Sequence, residues 1–201
     1  MLARIIMAKH IFFILLMIAG GYYFWNSRPV VHGPGEVAPN EPVQEQAYGV
    51  QKIEFNNLKL SPFAKIDIEA RVLSKKKYYE GREAKFAPYD IVLGWGPMSD
   101  EKNLDQILVK QSDRYYYWEM IQPSIGIGEI RTHSANVRFI TSNEEESDKL
   151  ADLRIGQVIR VKGYLVDVKS EEGWTIKSSS KRNDSGKEGS EIIWINELNI
   201  L

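Results

Sequence analysis

In AKIDIEARV, residues 64–72, five apolar side chains (Ala64, Ile66, Ile68, Ala70 and Val72) alternate with Lys65, Asp67, Glu69 and Arg71. Successive residues of a strand point to opposite faces, so this pattern predicts a strand with one face in a core and one in water. Working outward, IVLGW (91–95), RYYYWEMI (114–121) and VRFITS (137–142) read as further strands from their β-branched and aromatic content. In GQVIRVKGYLVDVK (156–169), Ile159 and Val161 share one face, and after Gly163 the apolar set moves to Tyr164, Val166 and Val168. A one-residue phase change at a glycine predicts a β-bulge. WTIKSSS (174–180) and EIIWINELNIL (191–201) supply two more strands, joined by the polar loop SKRNDSGKEGS. Two short helices are expected between strands. One is capped by Ser99 or Asp100, with Leu104, Ile107 and Leu108 on one face, and the other is EEESDKLADL (144–153), with its acids at the N-terminal end. The pattern predicts an α+β, mainly β domain over residues 53–201, a small β-barrel or strongly coiled antiparallel sheet with an OB-like pattern.

The N-terminal segment is of another kind. HIFFILLMIAGGYYFW, residues 10–25, has no formally charged residue, and Arg4 and Lys9 precede it. That order fits a secretory signal or a signal anchor. Ala19, Gly20 and Gly21 offer a peptidase only a marginal site, and Tyr22, Tyr23, Phe24 and Trp25 follow at once. Such aromatics suit a membrane–water interface. The fifteen apolar residues from Ile11 to Trp25 rise only ~22 Å as a helix, against a ~30 Å hydrocarbon core. Ile5 to Ala8 extend the span if Lys9 snorkels. An uncleaved transmembrane anchor over 10–25 is expected, with residues 1–9 a cytoplasmic stub and the domain outside the cytoplasmic membrane. Residues 26–52 carry Pro29, Pro34, Pro39 and Pro42 and no helical or alternating period, which predicts an extended, semi-rigid linker holding the domain off the lipid.

Charge and composition exclude several functions. The chain has 26 Lys and Arg against 27 acids; with Arg4 and Lys9 set aside, the remainder carries 24 basic and 27 acidic residues, or −3. A nucleic-acid partner, which favours a basic surface, is therefore not expected. There is no cysteine, so thiolate catalysis and Cys-based zinc sites are excluded. His133 is the only histidine of the folded part, which excludes a His-rich metal site, and no glycine-rich phosphate motif is present. No cofactor is expected. NDSG (183–186) has turn chemistry but lacks the carboxylates of an EF-hand loop.

Six residues are candidates for binding: Trp95, Asp100, Tyr117, Trp118, His133 and Asn136. GWGPMSD (94–100) turns from a strand into a helix; Trp95 is expected to plug the core and Asp100 to cap the helix, the other reading being an anion held by free N–H groups at the helix start. RYYYWEM puts Tyr115 and Tyr117 on one face and Tyr116 and Trp118 on the other, expected to be buried on both sides within the sheet; exposed on one side they would form a stacking platform. In HSAN (133–136), Ser134 and Asn136 are expected to make side-chain-to-backbone bonds in a turn. A His133 acid–base pair with Asp100, Glu119 or Glu129 is the catalytic alternative.

The order GWGPMSD, YYYW, HSAN and GYLVDV…IIWINEL resembles that of a family of bacterial membrane-anchored proteins with no assigned activity. The resemblance implies an N-in, single-pass topology and a bacterial envelope setting, and it carries no catalytic role. The expected function is a tethered module binding another envelope protein, a peptide or a glycan, with an envelope hydrolase using His133 and an OB-like nucleic-acid binder as alternatives.

Overall fold

The alternation in AKIDIEARV lies inside a strand twenty residues long, Leu58–Lys77. In the computed structural model, which describes residues 2–122, 124–179 and 190–201 (side chains of 2–8 and 26 excepted), the strands in chain order are β1 (Val43–Gln46), β2 (Ile53–Phe55), β3 (Leu58–Lys77), β4 (Tyr89–Gly94), β5 (Ile107–Ser112), β6 (Tyr115–Met120), β7 (Ser134–Thr141), β8 (Val158–Ser170), β9 (Thr175–Ile176) and β10 (Ser190–Ile200). The helices are α1 (Leu2–Asn26), α2 (Glu101–Leu104), α3 (Ile127–Thr132) and α4 (Glu144–Asp152). The chain is mainly β. β3 pairs with β4, β4 with β7, β7 with β10, β10 with β8, and β8 again with β3, so five strands form a closed ring. All pairs are antiparallel except β7–β10. Register shifts at Phe63 and Leu73 of β3 and at Asn196 of β10 bend the long strands around the ring.

The predicted face of β3 is the inner one: Ala64, Ile66, Ile68, Ala70 and Val72 pack with Ile91, Leu93, Trp95, Val137, Phe139, Ile159, Val161, Leu165, Ile193 and Ile195. Leu150 of α4 and Leu153 just beyond it join the same cluster. α4 begins as expected, Asn143 accepting the Glu146 N–H at 2.9 Å with Glu144, Glu145 and Glu146 in the first turn.

Several expectations are corrected. There is no phase change at Gly163: Ile159, Val161 and Leu165 continue on the inner face, while Val166 and Val168, with Tyr164 against them, belong to an outer cluster with Ile140, Ile192 and Trp194. Both faces of β8 are covered beyond Gly163, and the added outer cover mimics a shift in a one-dimensional pattern. The extra residue, Asn196, lies on β10. Gly163 is needed for another reason, since a Cβ there would stand 2.0 Å from the Trp194 carbonyl oxygen. Ile107 and Leu108 are not helical; α2 stops at Leu104, and β5 follows because Ile107 is buried beneath a hairpin that exposes Leu108. β5 and β6 form a separate two-stranded sheet, so the aromatic strand is not sandwiched on both faces. WTIKSSS contributes only the two-residue β9, and the loop 180–189, NDSG included, lies outside the described residues.

The N-terminal segment is one helix of 25 residues, with the described apolar side chains from Ile11 to Trp25 exposed. The stretch 10–25 alone rises about 24 Å, less than a hydrocarbon core. Among the described residues no helix is long and apolar enough to cross a membrane. The segment after α1 is extended as its prolines require, but it does not stand off as a free linker. It lies along the domain as a strap: the Val30 N–H donates to Ile155 O at 2.8 Å, and β1 pairs with β3, Val43 opposite Asp67. Proline fixes φ but leaves the other residues' donors and acceptors in need of partners, and the edge of β3 supplies them.

Candidate functional site

The GWGPMSD corner is built where β4 leaves the ring. Gly96 takes φ +50°, and its missing side chain makes room for the His133 ring, whose Cδ2 lies 2.9 Å from where a Cβ would be. The Trp95 N–H donates to His133 O at 3.0 Å, so two of the candidate residues meet. Trp95 is 1% exposed and belongs to the inner core. Asp100 caps α2, accepting from the Lys102 N–H at 2.9 Å, and it also accepts from the Gly35 N–H of the strap at 2.9 Å. Those two backbone donors hold the Asp100 carboxyl below its usual range.

The free N–H groups that an anion would need are taken. The Gly96 N–H donates to Ala38 O at 2.8 Å, and the Met98 N–H to Trp95 O at 3.0 Å. Beside them Arg71, 4% exposed, pairs with Glu101 at 2.5 Å, and Glu101 accepts the His32 N–H at 2.8 Å. Burial raises the Glu101 carboxyl, but the His32 donor and the Arg71 charge outweigh it, and its pKa lies below the ordinary value. The corner is thus a clasp for the strap.

His133 closes α3. Its Nδ1 lies 2.9 Å from Glu129 O and 3.0 Å from Thr132 Oγ1. The carboxylates that would make it an acid–base pair are engaged elsewhere: Asp100 in the clasp, Glu119 with Lys110 at 2.7 Å, and Glu129 with the Gly126 N–H at 3.0 Å. Ser134 donates to Ile130 O at 2.6 Å, a side-chain-to-backbone bond as expected, although it starts β7 rather than a turn.

Asn136 belongs to a buried polar network that the sequence reading did not anticipate. On the outer face of β4 and β7, Asp90 is fully buried and pairs with Arg114 at 2.5 Å. Arg138 pairs with Glu83 at 2.6 Å and brings its Nε to 3.9 Å from Asp90 Oδ2. Burial pushes the Asp90 carboxyl up, opposed by both arginines. The β5–β6 hairpin completes the network from above. Gln111 donates to Asp90 O at 3.1 Å and to Asn136 Oδ1 at 2.9 Å, and Asn136 donates to Arg114 O at 3.1 Å. The Arg114 guanidinium stacks on Tyr78, 3.9 Å from the ring centroid. The signal was present: one aspartate in YDIVLG and one arginine between Val137 and Phe139, each the single charged residue of its strand.

The hairpin's inner face carries Trp118 with Val109 and Tyr116, packed on Leu73, Val92, Met98, Ile107 and Ile130. Tyr117 points the other way and is 46% exposed. On the same face by register Leu108 and Ile121 are also exposed, and the Lys110–Glu119 pair lies between them, Lys110 opposite Tyr117 and Glu119 opposite Leu108. Among the described residues β6 pairs with β5 alone, and no group of His, Cys, Asp and Glu could hold a metal. Of the six candidates, then, Trp95, Asp100 and His133 belong to the clasp, Trp118 and Asn136 fasten the hairpin, and Tyr117 alone is exposed, on the hairpin face that also carries Leu108 and Ile121. No protein-family model, no curated protein and no solved structure matches the chain.

Proposed function

We propose that the chain is a single-pass, membrane-anchored protein of a bacterial envelope whose outer domain is a non-enzymatic binding module. Its contact surface is the outer face of the β5–β6 hairpin, and its partner is another envelope polypeptide. The anchor is read on α1, whose 25 residues rise about 37 Å. Its uncharged stretch 10–25 alone falls short of a hydrocarbon core, so the span requires Lys9 to snorkel. The observation that carries the binding reading is the hairpin itself. It is fastened from beneath by the Asp90 network and the Trp118 cluster, and it presents Leu108, Tyr117 and Ile121 to solvent. Exposed apolar side chains interleaved with an ion pair, on a strand that among the described residues pairs on one edge only, suit a polypeptide partner better than a sugar or a base.

The ring order, with one parallel pair among five strands, supports the OB-like reading of the barrel. An OB-like binder of nucleic acid would use the outer face of the second and third ring strands, here β4 and β7. The hairpin covers that face, which argues against the nucleic-acid alternative. The hydrolase alternative is weakened by the engaged carboxylates around His133.

Photocrosslinking in intact cells tests the reading. A photoreactive residue at position 117 or 108 is expected to give one discrete protein adduct, and one at Lys59, on the part of β3 that pairs with β2 and β8, none. Equal adducts at all three positions, or none at 108 and 117, would refute it.

A further inference from the structure

The strap leaves almost no slack between helix and domain. α1 ends at Asn26, and the first strap residue bonded to the domain is Val30, whose N–H donates to Ile155 O. Four residues span at most ~14 Å even when fully extended. With Tyr22 to Trp25 at the membrane–water interface, the surface around Ile155 lies no more than ~14 Å from that interface, close enough to meet the headgroups.

The composition of that surface fits the location. Between the end of α1 and the domain, Tyr22, Tyr23 and Ser27 face Lys75, Lys77, Arg154, Ile155 and Ile200 across a hollow, with Asp152 the one acid in its wall. Arg28 adds a cation stacked on Phe24 and Trp25, 4.6 and 4.9 Å from the ring centroids. Ile155 and Ile200 are 43% and 44% exposed. Lys75 is turned inward, donating to Leu153 O at 3.0 Å, and burial pulls its pKa down; Lys77 and Arg28 are exposed and Arg154 half-buried. Basic groups around exposed aliphatic side chains, beside a helix end rich in aromatics, are the chemistry of a surface seated on anionic lipid.

We infer that the face formed by Lys77, Arg154, Ile155 and Ile200 docks on anionic phospholipid headgroups. This fixes the orientation of the domain and turns the opposite parts of the barrel away from the bilayer. The inference rests on the anchored reading of α1 proposed above.

The lack of cysteine makes the test direct. The full chain carrying Ile155→Cys or Ile200→Cys, and Lys59→Cys as a control at the other end of β3, is labelled with a polarity-sensitive fluorophore. It is reconstituted into vesicles of phosphatidylcholine alone or mixed with phosphatidylglycerol. Flotation with the vesicles reads the anchor, and the fluorophore reads the face. At positions 155 and 200 a blue shift and loss of iodide quenching are expected in the anionic vesicles, with no change at 59. Lys77→Glu with Arg154→Glu, in a chain that melts as wild type, is expected to abolish the shift. A chain that floats while its 155 and 200 labels stay quenchable in anionic vesicles overturns the docking face and leaves the anchor standing. A chain that does not float overturns both.

Discussion

Replacing Gly163 by alanine isolates a single contact at the seam where β8 meets β10. Gly163 lies opposite Ile195, and an added Cβ would stand 2.0 Å from Trp194 O, 3.0 Å from Trp194 C and 3.3 Å from Ile193 Cγ2. The obstruction is backbone in a paired strand, so no rotamer change relieves it; β8 and β10 have to separate by more than an ångström. Overpacking of this kind costs ~1–3 kcal/mol. Stretching the two nearest ladder hydrogen bonds adds ~0.5–1.5 kcal/mol each. Alanine's lower conformational entropy in the unfolded chain offsets ~0.5–1 kcal/mol. The net expectation is a loss of about 1–5 kcal/mol, a large part of the ~5–15 kcal/mol that holds a domain of ordinary stability. Urea unfolding of the detergent-solubilised full chain, followed by tryptophan fluorescence, measures it. Gly128→Ala in α3 is the control, because nothing lies within 4 Å of its Cβ position, and it is expected to leave stability unchanged or raised by up to ~1 kcal/mol. Backbone strain does not contribute, since φ at Gly163 is not positive. A Gly163→Ala midpoint equal to wild type would refute the close-contact reasoning.

Trp95→Ala removes a fully buried side chain from the inner core and is expected to cost ~3–5 kcal/mol in the same assay; a loss below ~1 kcal/mol would show that the corner does not close the barrel. Asp90→Ala leaves Arg114 and Arg138 facing each other without their shared counter-charge and is expected to cost ~3–5 kcal/mol, with the hairpin amides losing hydrogen-exchange protection first. The Asp100 carboxyl is held below its unfolded value by the Gly35 and Lys102 donors, so its contribution to strap docking is complete above the unfolded pKa of ~3.9 and is lost as pH falls through the lower folded value. An NMR titration of the Gly35 amide should accordingly give a midpoint below ~3.9; a midpoint at or above that value would contradict the clasp.

What was legible in the chain was whatever depends on near neighbours. Ala64 to Val72 announced the inner face of β3 because alternation is a local property of a strand. The three glutamates announced α4 through dipole chemistry, and Ser99–Asp100 announced the start of α2 through capping. Ile107 and Leu108 misled because two apolar residues after Leu104 fit helical spacing and a half-buried strand equally well. Gly163 misled because pattern alone cannot separate a residue changing face from a second face being covered. The strap and the Asp90 network were illegible for a further reason: Gly35 meets Asp100 and Arg114 meets Asp90 only after the ring has closed, and no local period encodes such a meeting. At the candidate site, Trp95 and His133 were both flagged, but their contact depends on the bare Cα of Gly96 lying under an imidazole that is 37 residues away.

The central claim, that the hairpin's outer face holds a protein partner, is tested most directly by the size of the complex. The full chain is extracted from its own membranes in mild detergent, and wild type is compared on size exclusion with Leu108→Ser combined with Tyr117→Ser, two exposed changes that leave the Trp118 cluster and the Asp90 network intact. Wild type should elute with a second protein in fixed ratio, and the double variant, melting at the wild-type temperature, should elute without it. A double variant that keeps the same companion in the same ratio would contradict the claim.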